Sequence, residues 1–224
     1  MNLALFDLDG TLLPGDSDHA FGQFMVDIGW ADGAAWRARN DEFYAHYMAG
    51  TLVLADYIEF ATAVWRQRPL EQALAARERY MSEVILPMIQ PQARALVARH
   101  QRAGDLVAIV TATNEFVTRP IADAFGVQTL LAVELERTEN GLFSGSIRGV
   151  PTFQAGKIAR VKAWLADQGR TLDDFGDVHF YSDSTNDLPL LEVVRTPVAT
   201  NPSPALARIA AERGWQVLNL FDTP

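Results

Sequence analysis

Five short runs dominated by apolar residues punctuate the chain: Leu3 to Phe6, Leu106 to Val110, Val127 to Val133, Val178 to Tyr181 and Pro197 to Ala199. A strand covered on both faces reads as an unbroken run of this kind, whereas a half-exposed strand alternates. Helix-like segments separate the later runs, over Pro91 to Arg102, Glu115 to Phe125, Gly156 to Gln168 and Ser203 to Arg213. Strands and helices in alternation predict an α/β fold, a doubly wound and mostly parallel sheet.

The alternation is interrupted once. Between the first run and the one ending at Val110 lie almost a hundred residues with no comparable strand, and the pattern there is helical over Asp18 to Ile28, Gly33 to Met48, Thr51 to Arg66 and Pro69 to Val84. In the third of these, Thr51 is placed to cap the start. The pattern predicts a helical cap, residues 15–87, inserted into a core formed by residues 1–14 and 88–224. Arg137 to Phe143 carries an Asn140-Gly141 hairpin signal, with flanking strands expected over about Leu131 to Glu136 and Leu142 to Ile147. The loose stretches are Gly29 to Gly33, Gly149 to Thr152 and the final Asp222-Thr223-Pro224.

Composition narrows the function classes. The 224 residues hold 19 Lys plus Arg against 28 Asp plus Glu, a net charge of -9. Binding to nucleic acid or an anionic membrane needs a basic face, so neither partner is expected. No apolar run approaches the length of a membrane span, and the first residues lack the basic region of a signal peptide. An intracellular, cytoplasmic protein is expected, as monomer or homodimer. With no Cys, disulfides and thiolate metal sites are excluded.

Candidate chemistry lies where the apolar runs end, which is where open parallel sheets present residues to ligands. Asp7 and Asp9 stand two apart in Asp7-Leu8-Asp9-Gly10-Thr11, so a strand period sends both to one side. One carboxylate can attack while the other handles a proton, although Asp and Gly also simply terminate strands. Thr111-Ala112-Thr113-Asn114 follows the second run, as an anion contact or a helix cap. Lys157 opens a helix, where the dipole disfavours a cation unless an anion compensates. Asp183 and Asp187 follow the Val178 run. Four acids in one crevice would repel strongly, and Mg²⁺, which takes a few carboxylates plus waters and phosphate oxygens, is the natural neutralising ion.

In this order and spacing, Asp7-Leu8-Asp9-Gly10-Thr11, Thr111, Lys157 and Asp183-Ser184-Thr185-Asn186-Asp187 resemble the motifs of the haloacid dehalogenase superfamily. The long helical insert resembles its phosphoserine-phosphatase-like branch. The resemblance implies a Mg²⁺-dependent phosphatase of a small phosphorylated metabolite, working through an aspartyl phosphate. It implies Asp7 as nucleophile and metal ligand, and Asp9 as proton carrier with its carbonyl on the metal. Thr111, with Ala112 and Asn186, would contact the phosphate; Lys157 would neutralise charge. Asp183 would bind the metal, and Asp187 would hold metal waters or Lys157.

Asp16 sits where that branch has an acid contacting a substrate amino group, yet Asp16-Ser17-Asp18 also suits a helix cap. The second and fourth motifs read Thr111-Ala112-Thr113 and Ser182-Asp183-Ser184 in place of the usual Ser-Gly-Gly and Gly-Asp-Gly. Phosphoserine is the substrate implied by that branch, with histidinol phosphate and phosphatidylglycerol phosphate as alternatives. A phosphotransferase or mutase sharing the aspartyl-phosphate step, and a non-catalytic binding protein on the same scaffold, are the rival readings. In the cap, His19, Arg37, Arg39, His46, Tyr47 and Arg66 are the polar candidates for substrate contact.

Overall fold

A computed structural model describes residues 1–221; the loose end expected at Asp222 to Pro224 lies outside the described residues. Six strands form one parallel sheet: β1 (Leu3–Phe6), β2 (Leu106–Asn114), β3 (Thr129–Val133), β6 (Val178–Ser182), β7 (Thr196–Thr200) and β8 (Gln216–Leu218). Two more, β4 (Leu135–Arg137) and β5 (Phe143–Ile147), pair antiparallel as a separate hairpin. The order across the large sheet is β3-β2-β1-β6-β7-β8, so β1 is central, with β2 and β6 on its flanks.

Strand alternation divides the interior into two layers. Ala4, Phe6, Ile109, Tyr181 and Val198 face one apolar cluster, and Leu3, Leu5, Ala108, Val110, Phe180 and Ala199 face the other. Helices α6 (Pro91–Arg102) and α7 (Glu115–Ala124) cover the first, whereas α8 (Ala155–Ala166), the short α9 (Leu188–Leu191) and α10 (Pro204–Arg213) cover the second. Both faces being buried explains why the strands read as continuous apolar runs.

Helices α1 (Ser17–Asp27), α2 (Gly33–Met48), α3 (Leu54–Arg66) and α4 (Leu70–Tyr80) follow β1. Leu54, Ile58, Trp65 and Tyr80 belong to the same cluster as Phe6 and Leu8, so one continuous interior runs from the sheet into these helices. The β4–β5 hairpin packs on α3, with Trp65 edge-on to Phe143 at 5.1 Å.

Several boundaries differ from the pattern. β2 runs four residues past Val110, because the polar residues that end its apolar run continue as strand. Leu131 to Val133 belong to the large sheet, so the hairpin begins only at Leu135. Thr51 does not cap α3, which has Val53 at its N-cap position; Thr51 instead closes the end of α2, its amide donating to the His46 carbonyl at 2.9 Å. The fourth cap helix stops at Tyr80 and passes through a π-helical turn, Met81–Ile85, into α5 (Leu86–Met88). β8 was not foreshadowed, since only three residues pair there and Gln216 and Val217 are exposed.

Asn201 follows β7 with a positive φ of 46°. Its side-chain amide donates to the carbonyls of Gly10 (3.0 Å) and Thr11 (3.2 Å), and its Oδ1 accepts from the amides of Leu220 (2.6 Å) and Phe221 (3.3 Å).

Candidate active site

The ends of β1, β2 and β6 meet at one cleft, roofed by the cap. Asp7 is the residue after β1 and keeps the ladder, its amide donating to the Tyr181 carbonyl at 2.9 Å. It is 2% exposed, and its Oδ1 accepts from Lys157 Nζ at 2.8 Å. The same ammonium, 1% exposed, lies 2.8 Å from Asp187, whose Oδ2 also accepts from Ser182 Oγ at 2.7 Å. The anions that compensate a cation in the first turn of α8 are therefore two protein carboxylates. Gly156 precedes Lys157 because a Cβ there would stand 2.0 Å from the Pro151 carbonyl oxygen.

Asp9 faces the cleft beside Asp7. Its Oδ1 accepts from the Ser17 amide at 2.7 Å and its Oδ2 from Thr113 Oγ1 at 2.9 Å. Thr111 and Ala112 line the floor; Thr111 Oγ1 accepts the Thr113 amide at 3.1 Å, and the Thr111 carbonyl accepts from Thr152 Oγ1 at 2.6 Å. Asp183 receives Thr11 Oγ1 on its Oδ1 at 3.1 Å.

Burial dominates the electrostatics. It pushes Asp7 up to about 7, against the pull of Lys157. It pushes Asp9 up to about 8, helped by the charge of Asp16, which favours the protonated form. Asp183 is held well above the ordinary carboxylate value, first by burial and then by Asp7 and Asp187. Burial alone would lower Lys157, but Asp187 and Asp7 outweigh it and leave the ammonium firmly charged.

One lysine thus faces more carboxylate than it neutralises. Oxygen donors in a crevice of excess negative charge fit a hard divalent cation, for which Asp7 and Asp183 could serve as side-chain ligands. Among the described residues no three acidic or histidine side chains converge to hold an ion alone. Mg²⁺ does not require that, because it keeps waters and takes phosphate oxygens alongside one or two carboxylates. Asp187 is engaged with Lys157 and Ser182.

Gly10 lets the loop after β1 close on this site. It has a φ of 74°, and a Cβ there would stand 2.4 Å from Asp183 Oδ2. Gly10→Ala is therefore expected to lower the melting temperature and to abolish activity together, because the strained loop displaces Asp183. Thermal melts with turnover assays on the same sample check this, and a fully active variant would refute the packing argument.

The cap supplies the rest of the wall. Asp16 caps α1, with its Oδ1 accepting from the amides of Asp18 (2.9 Å) and His19 (2.7 Å), and it lines the cleft at the same time. The capping role foreseen for it is present in the geometry. Asp18 also lines the cleft, 6% exposed, with the Asn114 amide donating to its oxygens at 3.3 and 3.4 Å. Burial, then the charge of Asp16, raises Asp18 to about 7.

From α2 come Asn40, Phe43, Tyr44 and Tyr47, spaced at three, one and three residues on one helix face. That stripe is the signal that could have found them; Tyr57 of α3 joins it. Of the cap candidates, His19 and Tyr47 reach the cleft. Arg37 pairs with Asp27, Arg39 with Glu42, Arg66 with Glu59, and His46 with Thr51. Asn186, expected at the phosphate, donates instead to the Tyr47 carbonyl at 3.0 Å.

The family model of haloacid dehalogenase-like hydrolases matches residues 4–192. The chain belongs to this family. Within it, the hydrolase is similar to a histidinol-phosphatase of Neisseria meningitidis serogroup C (strain 8013), 42% identical over 218 residues that cover 97% of this chain and 98% of the relative. Among solved structures it is similar to a protein of unknown function from Bordetella pertussis Tohama I, with TM-score 0.93, 48% identity and coverage of 98% and 99% of the two chains. A substrate-bound phosphoserine phosphatase shares the fold at TM-score 0.67 and 18% identity, over 96% of this hydrolase and 91% of that chain.

Proposed function

We propose that the protein is a Mg²⁺-dependent phosphatase that hydrolyses the phosphate ester of a cationic amino alcohol, histidinol phosphate being the leading substrate. The observation that carries the substrate is the lining of the cleft. Above the floor, and among the described residues, its only basic side chain is His19, already 2.7 Å from Asp41, whereas Asp16 and Asp18 sit on the wall. A substrate ammonium or imidazolium finds carboxylates and aromatic faces there. A substrate carboxylate, as in phosphoserine, finds no cation beyond the floor lysine. The full-length similarity to a histidinol-phosphatase supports the same choice.

The division of labour follows from position. Asp7 attacks phosphorus and the bond to the ester oxygen breaks, giving an aspartyl phosphate; Asp9 delivers its proton to the departing alkoxide. Asp9, now ionised, takes a proton from water as that water attacks phosphorus, which releases phosphate and restores Asp7. Lys157 keeps Asp7 oriented and offsets its repulsion with the phosphate dianion, while Asp187 and Ser182 hold Lys157 in place. Asp7, Asp183 and the Asp9 carbonyl would hold Mg²⁺, which would supply charge neutralisation on the transferring group.

Turnover of histidinol phosphate, phosphoserine and p-nitrophenyl phosphate, with and without chelator, tests the reading. We expect kcat/KM for histidinol phosphate to exceed that for phosphoserine by at least about tenfold, and chelation to remove it. Preference for phosphoserine would overturn the substrate, and chelator-resistant turnover the metal.

Asp18→Asn adds a second test. Its KM for histidinol phosphate rises, while turnover of p-nitrophenyl phosphate, which has no cation, stays near the parent value. The stability effect has a definite sign. Asp18 stands at about 7 in the folded protein against 3.8 ordinarily, so between those values the unfolded chain loses its proton first and stability falls as pH rises. Asp18→Asn should therefore melt higher than the parent at pH 8 and equally at pH 4; an unchanged difference across pH would remove Asp18 from the account.

A further inference from the structure

We infer that Asn186 and Gln154 act together as a latch that positions the end of cap helix α2, and with it Tyr47, over Asp7. Each is a neighbour in sequence of the machinery below. Asn186 lies between Asp183 and Asp187, in the turn Thr185–Asp187, and is 8% exposed. Its side-chain amide donates to the Tyr47 carbonyl in the last turn of α2, which also accepts the Gly50 backbone amide at 3.0 Å, so Asn186 adds a second donor where the helix ends. Gln154 is the N-cap residue of α8, three residues before Lys157, and its side-chain amide reaches the Gly50 carbonyl at 3.4 Å. Phe153 stands beside the Tyr47 ring, 6.2 Å between centroids.

Two backbone features are matched to this grip. Gln154 has a φ of 49° with ψ of −124°, a conformation costly for any residue with a side chain, and here it aims that side chain at the cap. Gly50 has a φ of 71°, and a Cβ there would stand 3.3 Å from Asn186 Oδ1, tight against the latch. Strain on one side and the glycine on the other coincide at one small contact between α2 and the two catalytic segments. Tyr47 lines the cleft with Asp7, so the segment held by the latch is the one that roofs the nucleophile.

Closing the cap thereby joins it to the segments that carry Lys157, Asp183 and Asp187. Asn186 and Gln154 are positioning residues that act through Tyr47. The placement over Asp7 rests on the phosphatase reading; the latch itself does not.

Hydrogen exchange read by mass spectrometry on the full chain tests it without any substrate. In Asn186→Ala and in Gln154→Ala, amides of residues 48–53 should exchange about three- to tenfold faster than in the parent, the loss of one hydrogen bond, with β1 and β2 unchanged. Parent-like exchange at 48–53 in both variants overturns the latch. If Asn186→Ala loosens β1 and β2 as well, Gln154→Ala alone decides, and parent-like exchange there overturns it. In Gln154→Ala a kinetic split supplies the positioning readout: KM for histidinol phosphate rises by a similar factor, while kcat for p-nitrophenyl phosphate, which carries no cation for the roof to hold, stays near the parent value. Should histidinol phosphate not be turned over at all, the substrate reading fails and the exchange result still stands or falls separately.

Discussion

Asp7→Asn is expected to lower phosphate release by about 10⁴-fold or more while the protein stays folded. Asn keeps the shape of the side chain but is a poor nucleophile, so no aspartyl phosphate forms. The fold tolerates the change because Lys157 keeps Asp187 as its counter-ion at 2.8 Å, and no buried charge is left alone. Phosphate assays on the purified variant, with a thermal melt of the same preparation, provide the check. A variant within tenfold of the parent would mean that another group attacks phosphorus.

Lys157 presents the opposite balance. Replacing it by Met leaves Asp7 and Asp187 buried and facing each other without a cation. Breaking a buried pair in this way costs about 3–5 kcal/mol, so Lys157→Met should unfold at clearly lower urea than the parent and lose about a thousandfold in turnover. Adding Asp187→Asn separates the two effects. The double variant should recover most of the stability, because one of the two orphaned acids is gone, and none of the activity. If the single variant were as stable as the parent, the ion pairs would contribute nothing to holding the site. If the double variant recovered activity, Lys157 would have no part in the chemistry.

The floor of this site was legible because each apolar run ends abruptly in polar residues. Asp7, Thr111 and Asp183 could be placed at strand ends before any fold was in view, and the structure puts those ends side by side. The limits of β2 were less legible, since Thr111 to Asn114 are strand residues whose side chains serve the cleft and so break the apolar run. The roof was legible only in outline. Tyr47 and His19 stood among six polar cap residues, and nothing local separates them from Arg37, which pairs with Asp27 of α1, or Arg39, which pairs with Glu42 one turn on. Asp18 was hidden in a capping motif. The bond of Asn186 to the Tyr47 carbonyl was not legible, because a motif records which residues are near one another and not which way a side chain turns. That direction depends on a helix more than 130 residues earlier in the chain.

The bonds of Asn201 tie the two ends of the molecule to one another. A single side chain grips the carbonyls of Gly10 and Thr11 on one side and the amides of Leu220 and Phe221 on the other. The stretch after β8 is therefore a brace for the loop that follows β1. Deleting Leu220 and Phe221, or fusing a bulky partner directly behind them, would be felt at Asp9 before it is felt in the sheet.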